Sequence, residues 1–469
     1  MKVTRMDVIT STFQWLIEHF VAALSAVLFY DIGGFAFIVL WLMAAAVFFT
    51  VYLRGVNFRL FRHALRIVSG RDKETSASHG EVSPLQALFS AIAATVGLGS
   101  IAGISVAIAV GGPGATLWVV VAGLLGMASK FAEVTLSMQY RRIDADGKVF
   151  GGPIQYLQSG MAEIGLPFFG KFLAVLFAIF CLGGAIGGGN MFQSNQAVKM
   201  LAYEIPALAQ MQWVISLAFA LLVGLVLFGS IQRIARVAEK ISPLKGILYL
   251  ICALIIVAAN IENLGHALRL MVTGAFTPEG VAGGFLGMLA IAFKRALFAN
   301  EAGLGSAPIA HAAARTVPVR EGAVALLEPF FAAMIALLTG LIVTISGAYQ
   351  GANLEEGVLI AARAFATVGD WFTIMLAVNV VLFAYSTTIG WSYYGEIAWS
   401  HLFGRRAIKL YYVLFCVASF AGGILHFGIV LDFSDLLILG MSLPNILALY
   451  LLRRKIKTAL QAYLSHHVV

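Results

Sequence analysis

The sequence predicts an all-α membrane protein with about eleven transmembrane helices. Of its 469 residues, 60% are hydrophobic and 12% are charged, whereas about a quarter of the residues in a typical soluble domain are charged. The apolar residues are gathered in stretches of roughly 20, which is the length that a helix needs to cross a bilayer. A bilayer is therefore the solvent that fits this composition.

Eleven apolar segments carry this prediction. A further segment, 13–30, is interrupted by Glu18 and His19, and we expect it to form an amphipathic helix at the membrane surface rather than a signal peptide. The predicted spans lie near 33–54, 85–110, 114–138, 168–190, 211–230, 243–260, 281–300, 323–347, 369–400, 409–428 and 433–452.

The distribution of Lys and Arg predicts the orientation. With the N-terminus outside, the loops that face the cytoplasm hold 22 of the 31 basic residues, outside segments hold four, and five lie in or beside spans. Because cytoplasmic loops are enriched in Lys and Arg, this bias predicts an outside N-terminus and a cytoplasmic C-terminus in a bacterial inner membrane. The net charge of +8 then needs no nucleic-acid partner.

The tetrapeptide Gly-Leu-Gly-Ser occurs twice, at 97–100 in the second span and at 303–306 in the seventh. Glycine disfavours a helix interior by about 1 kcal/mol relative to alanine, so both spans are predicted to unwind there. Unwound backbone at membrane depth lines a cavity or is buried in protein. The five-span offset inverts the second copy, which predicts two inverted halves with a substrate site between them. Tight packing of small residues is the alternative interpretation.

Several ordered motifs extend this pattern over nearly the full length of the chain. They are AATVGLGSIAG (93–103), GGPGATLW (111–118), GMASKFAE (126–133), GGPIQYLQSG (151–160), GNMFQSNQA (189–197), FKRALFANEAGLGSAP (293–308) and GWSYYGE (390–396). With them the chain resembles the alanine or glycine:cation symporter family. The resemblance implies one transporter domain (1–469) of LeuT-type fold, with ten core helices in two inverted five-helix repeats and one extra N-terminal helix. It places the N-terminal segment, extra helix and cytoplasmic loop at 1–83, the first repeat at 84–260 and the second at 281–452.

A local resemblance to the neurotransmitter:sodium symporters implies a sodium site. Residues 384, 387 and 388 have the i, i+3, i+4 spacing that places three groups on one helix face. Threonine hydroxyls also commonly bond to their own helix, which is the alternative. The implied ligands are the carbonyls of Ala93, Val96 and Ala384 and the hydroxyls of Thr387 and Thr388.

The family resemblance implies sodium-coupled symport of a small neutral amino acid, alanine or glycine, into the cell. The substrate carboxylate suits backbone N–H groups at the first break, and its ammonium suits carbonyls at the second. Asn190 and Gln193 either line this site or bond between helices, and Trp391 is expected to limit side-chain size. Ser100 stands where typical family members carry Asn, and its shorter side chain offers no carbonyl ligand. The predicted substrate-binding residues are Gly97, Gly99, Ser100, Gly189, Asn190, Gln193, Phe293, Leu297, Asn300 and Trp391.

Charged residues within spans allow structural interpretations. Lys130 and Glu133 are predicted to form an ion pair near the inner interface, and the charges of the seventh span are expected to face a polar cavity or to lie near its cytoplasmic end.

Three functions other than sodium symport are alternatives for this sequence. A proton-coupled amino-acid transporter of the same fold stays open, whereas a channel lacks support because the sequence has no filter-like or charge-ring pattern. An enzyme is not expected, since there is no His-Glu-x-x-His motif, phosphate loop or nucleophile elbow.

Overall fold

The computed structural model describes residues 22, 24–72, 80–143, 149–228, 231–277 and 283–466. The amphipathic helix predicted at 13–30 lies mostly outside this part of the chain. The described backbone is mostly helical, and it also contains two short antiparallel hairpins, β1–β2 and β3–β4. Asp31 pairs with Ala36 in the first hairpin, and Arg142 pairs with Phe150 in the second.

The helices used below are numbered along the chain. They are α1 (Phe37–Tyr52), α2 (Pro84–Thr95), α3 (Ala102–Gly111), α4 (Ala115–Tyr140), α5 (Pro167–Ile186), α6 (Phe192–Glu204), α7 (Gln212–Leu227), α8 (Ile231–Ala259), α9 (Gly284–Asn300), α10 (Ala307–His311), α11 (Leu327–Ile345), α12 (Thr373–Phe403), α13 (Ile408–Ile424), α14 (Phe427–Gly440) and α15 (Ser442–Leu451).

Shorter elements connect these helices. The strands are β1 (Asp31–Ile32), β2 (Phe35–Ala36), β3 (Arg142–Ile143) and β4 (Val149–Phe150). Short α-helices are Val56–Arg59, Phe61–Val68, Pro153–Gln155, Met161–Glu163, Leu264–Gly274, Pro318–Ala325, Val358–Ala366 and Arg453–His466. The 3-10 turns are Leu98–Ser100, Pro206–Leu208, Ile261–Asn263, Leu354–Glu356, Asp370–Phe372 and Arg405–Ala407, and the π-helical turns are Tyr156–Gly160 and Gly187–Met191.

Each predicted span overlaps at least one α-helix in the described part of the chain, and several, among them the second and the eleventh, overlap two. Among the described residues, seven helices are long and apolar enough to cross a bilayer, and a bent pair makes an eighth. Helices α1 and α7 are apolar but shorter, with 16 residues each. The multi-helical membrane class is confirmed, while the count of eleven crossings and the five-helix repeat stay predictions.

The first predicted break is present between α2 and α3, whose axes differ by 62°. Ser83 caps α2 by accepting from the Gln86 N–H, and Pro84 occupies the first turn, where its missing N–H costs nothing. The helix ends at Thr95, and Leu98–Ser100 forms one 3-10 turn before α3 begins. We call residues 96–101 the first break.

The second predicted break separates α9 from α10. Helix α9 ends at Asn300, and Glu301 adopts a left-handed conformation with φ 53°. Gly303 and Gly305 follow with φ values of 81° and 85°, a region that glycine enters without the steric cost that a Cβ imposes. We call residues 301–306 the second break.

The two breaks lie in the interior of the bundle. Helix α2 packs against α8 and α12, and α9 packs against α4 and α3. The π-helical turn Gly187–Met191 joins α5 to α6 and contacts α12, α13 and α14. Irregular backbone at all three places is therefore covered by protein, as membrane depth requires.

Candidate substrate and cation site

The residues predicted to bind sodium meet at the first break. The Thr387 hydroxyl donates to the Ala93 carbonyl at 3.0 Å, which joins α12 to the last turn of α2. Thr388 is fully buried, and its hydroxyl has no hydrogen-bond partner among the described residues. The bond across helices favours a site over the helix-internal alternative for Thr387. The assignment of sodium to these residues stays a prediction.

Lys245 adds a cation that the sequence reasoning did not place here. Its ammonium donates to the Val96 carbonyl at 2.6 Å, the Ala93 carbonyl at 3.3 Å and the Ser386 hydroxyl at 2.7 Å. The side chain is only 1% exposed. The 22 basic residues counted in cytoplasmic loops include Lys245, as one of four in the loop 233–245. Its place at the start of the apolar segment 243–260 gives no sequence signal that separates it from a loop lysine.

Five backbone N–H groups of the first break, those of residues 96, 97, 98, 100 and 101, already have acceptors. The Gly97 N–H donates to the Thr95 carbonyl at 2.9 Å, and the Ser100 N–H donates to the Gly97 carbonyl at 3.2 Å. The Ser100 hydroxyl, by contrast, is buried without a partner among the described residues. From the sequence we expect free backbone N–H groups at this break that would bind the substrate carboxylate. The Ser100 hydroxyl is one donor that has no acceptor among the described residues.

Gln193 and Asn190 make different hydrogen bonds. Gln193 accepts from the Leu98 N–H at 3.1 Å and donates to the Gly188 carbonyl at 2.9 Å, so it links the first break to the π-helical turn. Asn190 donates to the Phe415 carbonyl of α13 at 2.7 Å. For Asn190 this geometry favours the interhelical bond, and for Gln193 it favours the site.

Trp391 connects the π-helical turn to the second break. Its indole N–H donates to a Glu301 carboxylate oxygen at 3.0 Å, and the ring is 1% exposed. A Cβ added to Gly189 would overlap the Trp391 ring, so the ring rests directly on this backbone. Two predicted residues, Gly189 and Trp391, are thus in contact, and Glu301 emerges as the group that orients the indole.

The face of helix α9 that lies against the first break is not the face that carries the predicted residues. Phe293 stacks edge-on against Trp118 of α4, with ring centroids 6.2 Å apart. Asn300 accepts from the Ala302 N–H at 2.9 Å, within its own break. Phe298 instead lies against the first break, since a Cβ on Gly99 would come within 2.9 Å of its ring. Leu297 is buried. Because successive helical residues are rotated by about 100°, residues 293, 297 and 300 lie on one face of α9 and residue 298 lies on another.

A buried charge cluster surrounds the second break. Lys130 donates to the Glu301 carbonyl at 3.1 Å and lies 3.5 Å from Glu133 and 3.3 Å from Glu328. The predicted Lys130–Glu133 ion pair is therefore present, but it lies against the second break rather than standing alone. Glu133 also accepts from the Gly305 N–H at 3.1 Å. The cluster holds the unwound backbone in place.

The remaining charges of the seventh span pair with α14. Asp435 is fully buried and contacts Arg295, and Lys294 lies 2.8 Å from the same carboxylate. Both cations therefore pair with a buried carboxylate of the bundle, as charged groups within spans commonly do.

A separate cleft of about 690 Å³ lies away from these residues. It opens beside Gly111–Pro113, at the far end of α3, and is also lined by His266, Arg269 and Tyr349. In the predicted orientation these segments face the outside of the cell.

Comparison with known proteins decides the family. The model of the sodium:alanine symporter family matches residues 14–468. The chain belongs to this family. It is therefore a sodium-coupled amino-acid symporter and a multi-pass membrane protein, and sodium is the co-transported ion. The resemblance stated from the motifs is confirmed, and the family is a class of transporters.

Relatives in this family differ in their named substrates. The chain is 34% identical to the sodium/alanine symporter AgcS of Methanococcus maripaludis, over 90% of this chain and 93% of the relative. It is 32% identical to the probable sodium/glutamine symporter GlnT of Bacillus subtilis, over 96% of this chain and 91% of the relative. A solved sodium-coupled sialic acid symporter in a substrate-bound outward-open state covers 80% of this chain and is itself covered to 81%, with 12% identity and a TM-score of 0.50. The transporter fold is shared with that protein.

Proposed function

We propose that this symporter takes up alanine or glycine into the cell. The observation that carries the proposal is the contact of Trp391 with the backbone of Gly189. The bond to Glu301 fixes the indole, and the ring fills the space beside the π-helical turn where a longer substrate side chain would lie. A rigid buried wall of this kind limits the volume that a substrate side chain has available.

The substrate zwitterion would lie between the two breaks. The Ser100 hydroxyl, which has no acceptor among the described residues, would donate to its carboxylate, and the N-terminus of α3 would add the positive end of a helix dipole. Carbonyls of the second break would accept from the ammonium. Gln193 would hold the first break in position beside the carboxylate, because its side chain accepts from the Leu98 N–H.

Sodium would bind beside this substrate through the five predicted ligands. Carbonyl and hydroxyl oxygens replace the hydration shell of a cation when several converge on one point. One cation moving through 100 mV supplies about 2.3 kcal/mol, which supports roughly fifty-fold accumulation of the substrate. The proposed ligands are Ala93, Val96, Ala384, Thr387 and Thr388.

Uptake of labelled alanine by proteoliposomes tests this function. We expect saturable uptake driven by an inward sodium gradient, competition by glycine, and weak competition by glutamine and leucine. Uptake driven by a proton gradient without sodium would favour the proton-coupled alternative. Strong competition by glutamine would assign this chain a larger substrate.

Replacing Trp391 with Ala tests the limit on size. We expect the variant to admit leucine as a competitor while alanine uptake stays sodium-dependent, because the removed ring opens space beside Gly189. Trp399→Ala is the matched control, since that indole is also buried on α12. A folded Trp391→Ala protein that still excludes leucine would contradict the role of this ring.

The predicted orientation is also part of the proposal. Glu262 and Ser465 are both exposed and lie on opposite predicted sides. In a Cys416→Ser background, a membrane-impermeant maleimide should label Glu262→Cys on intact cells and Ser465→Cys only after lysis. The reverse pattern would invert the topology.

A further inference from the structure

Lys245 is a buried cation whose partners are all neutral among the described residues. Its three hydrogen bonds run to two carbonyls and one hydroxyl, and its ammonium lies 4.9 Å from the Phe383 ring centroid. A buried ammonium is costly unless its donors and its charge are compensated. Three acceptors match the three donors of an ammonium. The surroundings thus form a cation site built from neutral oxygen atoms and an aromatic face.

The other buried lysine beside a break is held differently. Lys130 also donates to a carbonyl at the end of a half-helix, that of Glu301, but two carboxylates, Glu133 and Glu328, lie within 3.5 Å. Those charges fix Lys130 in place. Lys245 has no such anchor in the part of the chain that the structure describes, so its ammonium is free to leave at a smaller electrostatic cost.

Two of the oxygen atoms that hold Lys245 are proposed sodium ligands. The Ala93 carbonyl also accepts from Thr387, and the buried Thr388 hydroxyl follows on the same face of α12. A second cation in contact with an ammonium is strongly repelled in a buried setting. An ammonium and a sodium ion therefore exclude each other here.

We propose that Lys245 is a tethered cation that competes with sodium for the site between α2 and α12. Its ammonium occupies the carbonyls of Ala93 and Val96 when sodium is absent, and sodium enters when the side chain moves off them. This inference rests on the proposed sodium site. It makes the sodium affinity of the transporter a property of Lys245 as well as of the ligands.

Replacing Lys245 with Met removes the charge and keeps most of the side-chain length. Without the competitor, we expect the sodium concentration for half-maximal equilibrium binding of radioactive sodium to fall at least about tenfold, because a like charge no longer opposes the ion. Sodium should also raise the melting temperature of this variant more than that of the wild type, since the ion now satisfies the two carbonyls. Lys240→Met is the matched control, because Lys240 lies exposed on the same helix. We expect it to leave sodium binding unchanged.

A second variant tests the same inference if the Lys245→Met protein does not fold. Ser386→Ala removes one acceptor of the ammonium but no proposed sodium ligand. We expect it to weaken the competitor and to lower the half-saturating sodium concentration by about threefold, the effect of losing one modest hydrogen bond.

The possible outcomes separate this inference from the proposed function. Tighter sodium binding in Lys245→Met or Ser386→Ala supports competition. Unchanged or weaker sodium binding in folded variants, with a lower melting temperature, would make Lys245 an ordinary cap of α2 and overturn the inference. Alanine uptake by the wild-type protein in the same preparation tests the proposed function separately. Wild-type uptake that does not depend on sodium would refute the proposed function itself.

Discussion

The two breaks contain the same tetrapeptide but fold it in different ways. Gly97 of the first break has an extended backbone, with φ −106° and ψ −161°, which any residue adopts. Gly303 and Gly305 of the second break are left-handed. Glycine at the first break is therefore required by close contacts, whereas glycine at the second is also required by backbone conformation.

The surroundings of the two breaks differ in charge as well. The second break has carboxylates on its flanks, with Glu133 on the Gly305 N–H and Glu301 within the break itself. At the first break, the described atoms that accept from the Lys245 ammonium are neutral oxygens, while the Glu328 carboxylate accepts from the neighbouring Thr95 hydroxyl. One break is thus surrounded by paired charges, whereas the other holds the Lys245 ammonium on neutral oxygen atoms. We expect the first to bind sodium, and the charges around the second to hold its carbonyls in position for the substrate ammonium.

Gly305→Ala should have the largest effect. A left-handed alanine costs about 1–2 kcal/mol, and the new Cβ would also lie 2.5 Å from Pro153 and 2.9 Å from Phe177. We expect a lower melting temperature and loss of alanine uptake. Gly165→Ala is the matched control, because Gly165 has φ 81° with no atom within 4 Å of an added Cβ. Equal stability losses in the two variants would show that crowding at the second break is unimportant.

Gly99→Ala should spare folding and damage binding. The new Cβ would lie 2.9 Å from the Phe298 ring, and no left-handed backbone is involved. Overpacking typically costs about 1–3 kcal/mol, so we expect alanine affinity to fall roughly tenfold in a protein that still inserts. Adding Phe298→Leu should restore part of the affinity by making room. A Gly99→Ala protein with wild-type affinity would show that this glycine serves ordinary packing.

Gln193→Ala and Asn190→Ala should separate binding from stability. Gln193 holds the Leu98 N–H of the first break, so its loss should lower alanine affinity about fivefold, the value of one hydrogen bond of ordinary strength. Asn190 bonds the Phe415 carbonyl, so its loss should lower stability by about 1 kcal/mol without changing affinity. Binding titrations and melting curves of both variants measure this. An affinity loss confined to Asn190→Ala would reverse the assignment.

Much of the fold followed from the sequence because membrane helices are long and strongly apolar. The positions of the spans and of both Gly-Leu-Gly-Ser breaks agree with the structure. The rotation of a helix about its axis could not be derived in the same way. Helix α9 is largely apolar all round, so nothing in its pattern distinguished Phe298 from Phe293 as the residue that faces the first break.

The site was predicted best where a motif fixed the geometry. The resemblance to the neurotransmitter:sodium symporters grouped Thr387 with the Ala93 carbonyl, and a hydrogen bond joins these two groups in the structure. Lys245 was missed because a lysine at the start of an apolar segment is identical in sequence to one that ends a cytoplasmic loop. Only the packing of α8 against α2 and α12 shows that its ammonium reaches the first break.

Sodium dependence of alanine uptake in Thr387→Ala/Thr388→Ala proteoliposomes tests the central claim most directly, namely that the coupling cation binds at the first break. Ser392→Ala is the matched control, because that hydroxyl lies on the same helix and donates to its own Ile389 carbonyl. We predict that the double variant needs at least about tenfold more sodium for half-maximal uptake, since losing hydroxyl ligands of a buried cation is costly, while Ser392→Ala behaves as wild type. Unchanged sodium dependence in a folded double variant would contradict the claim.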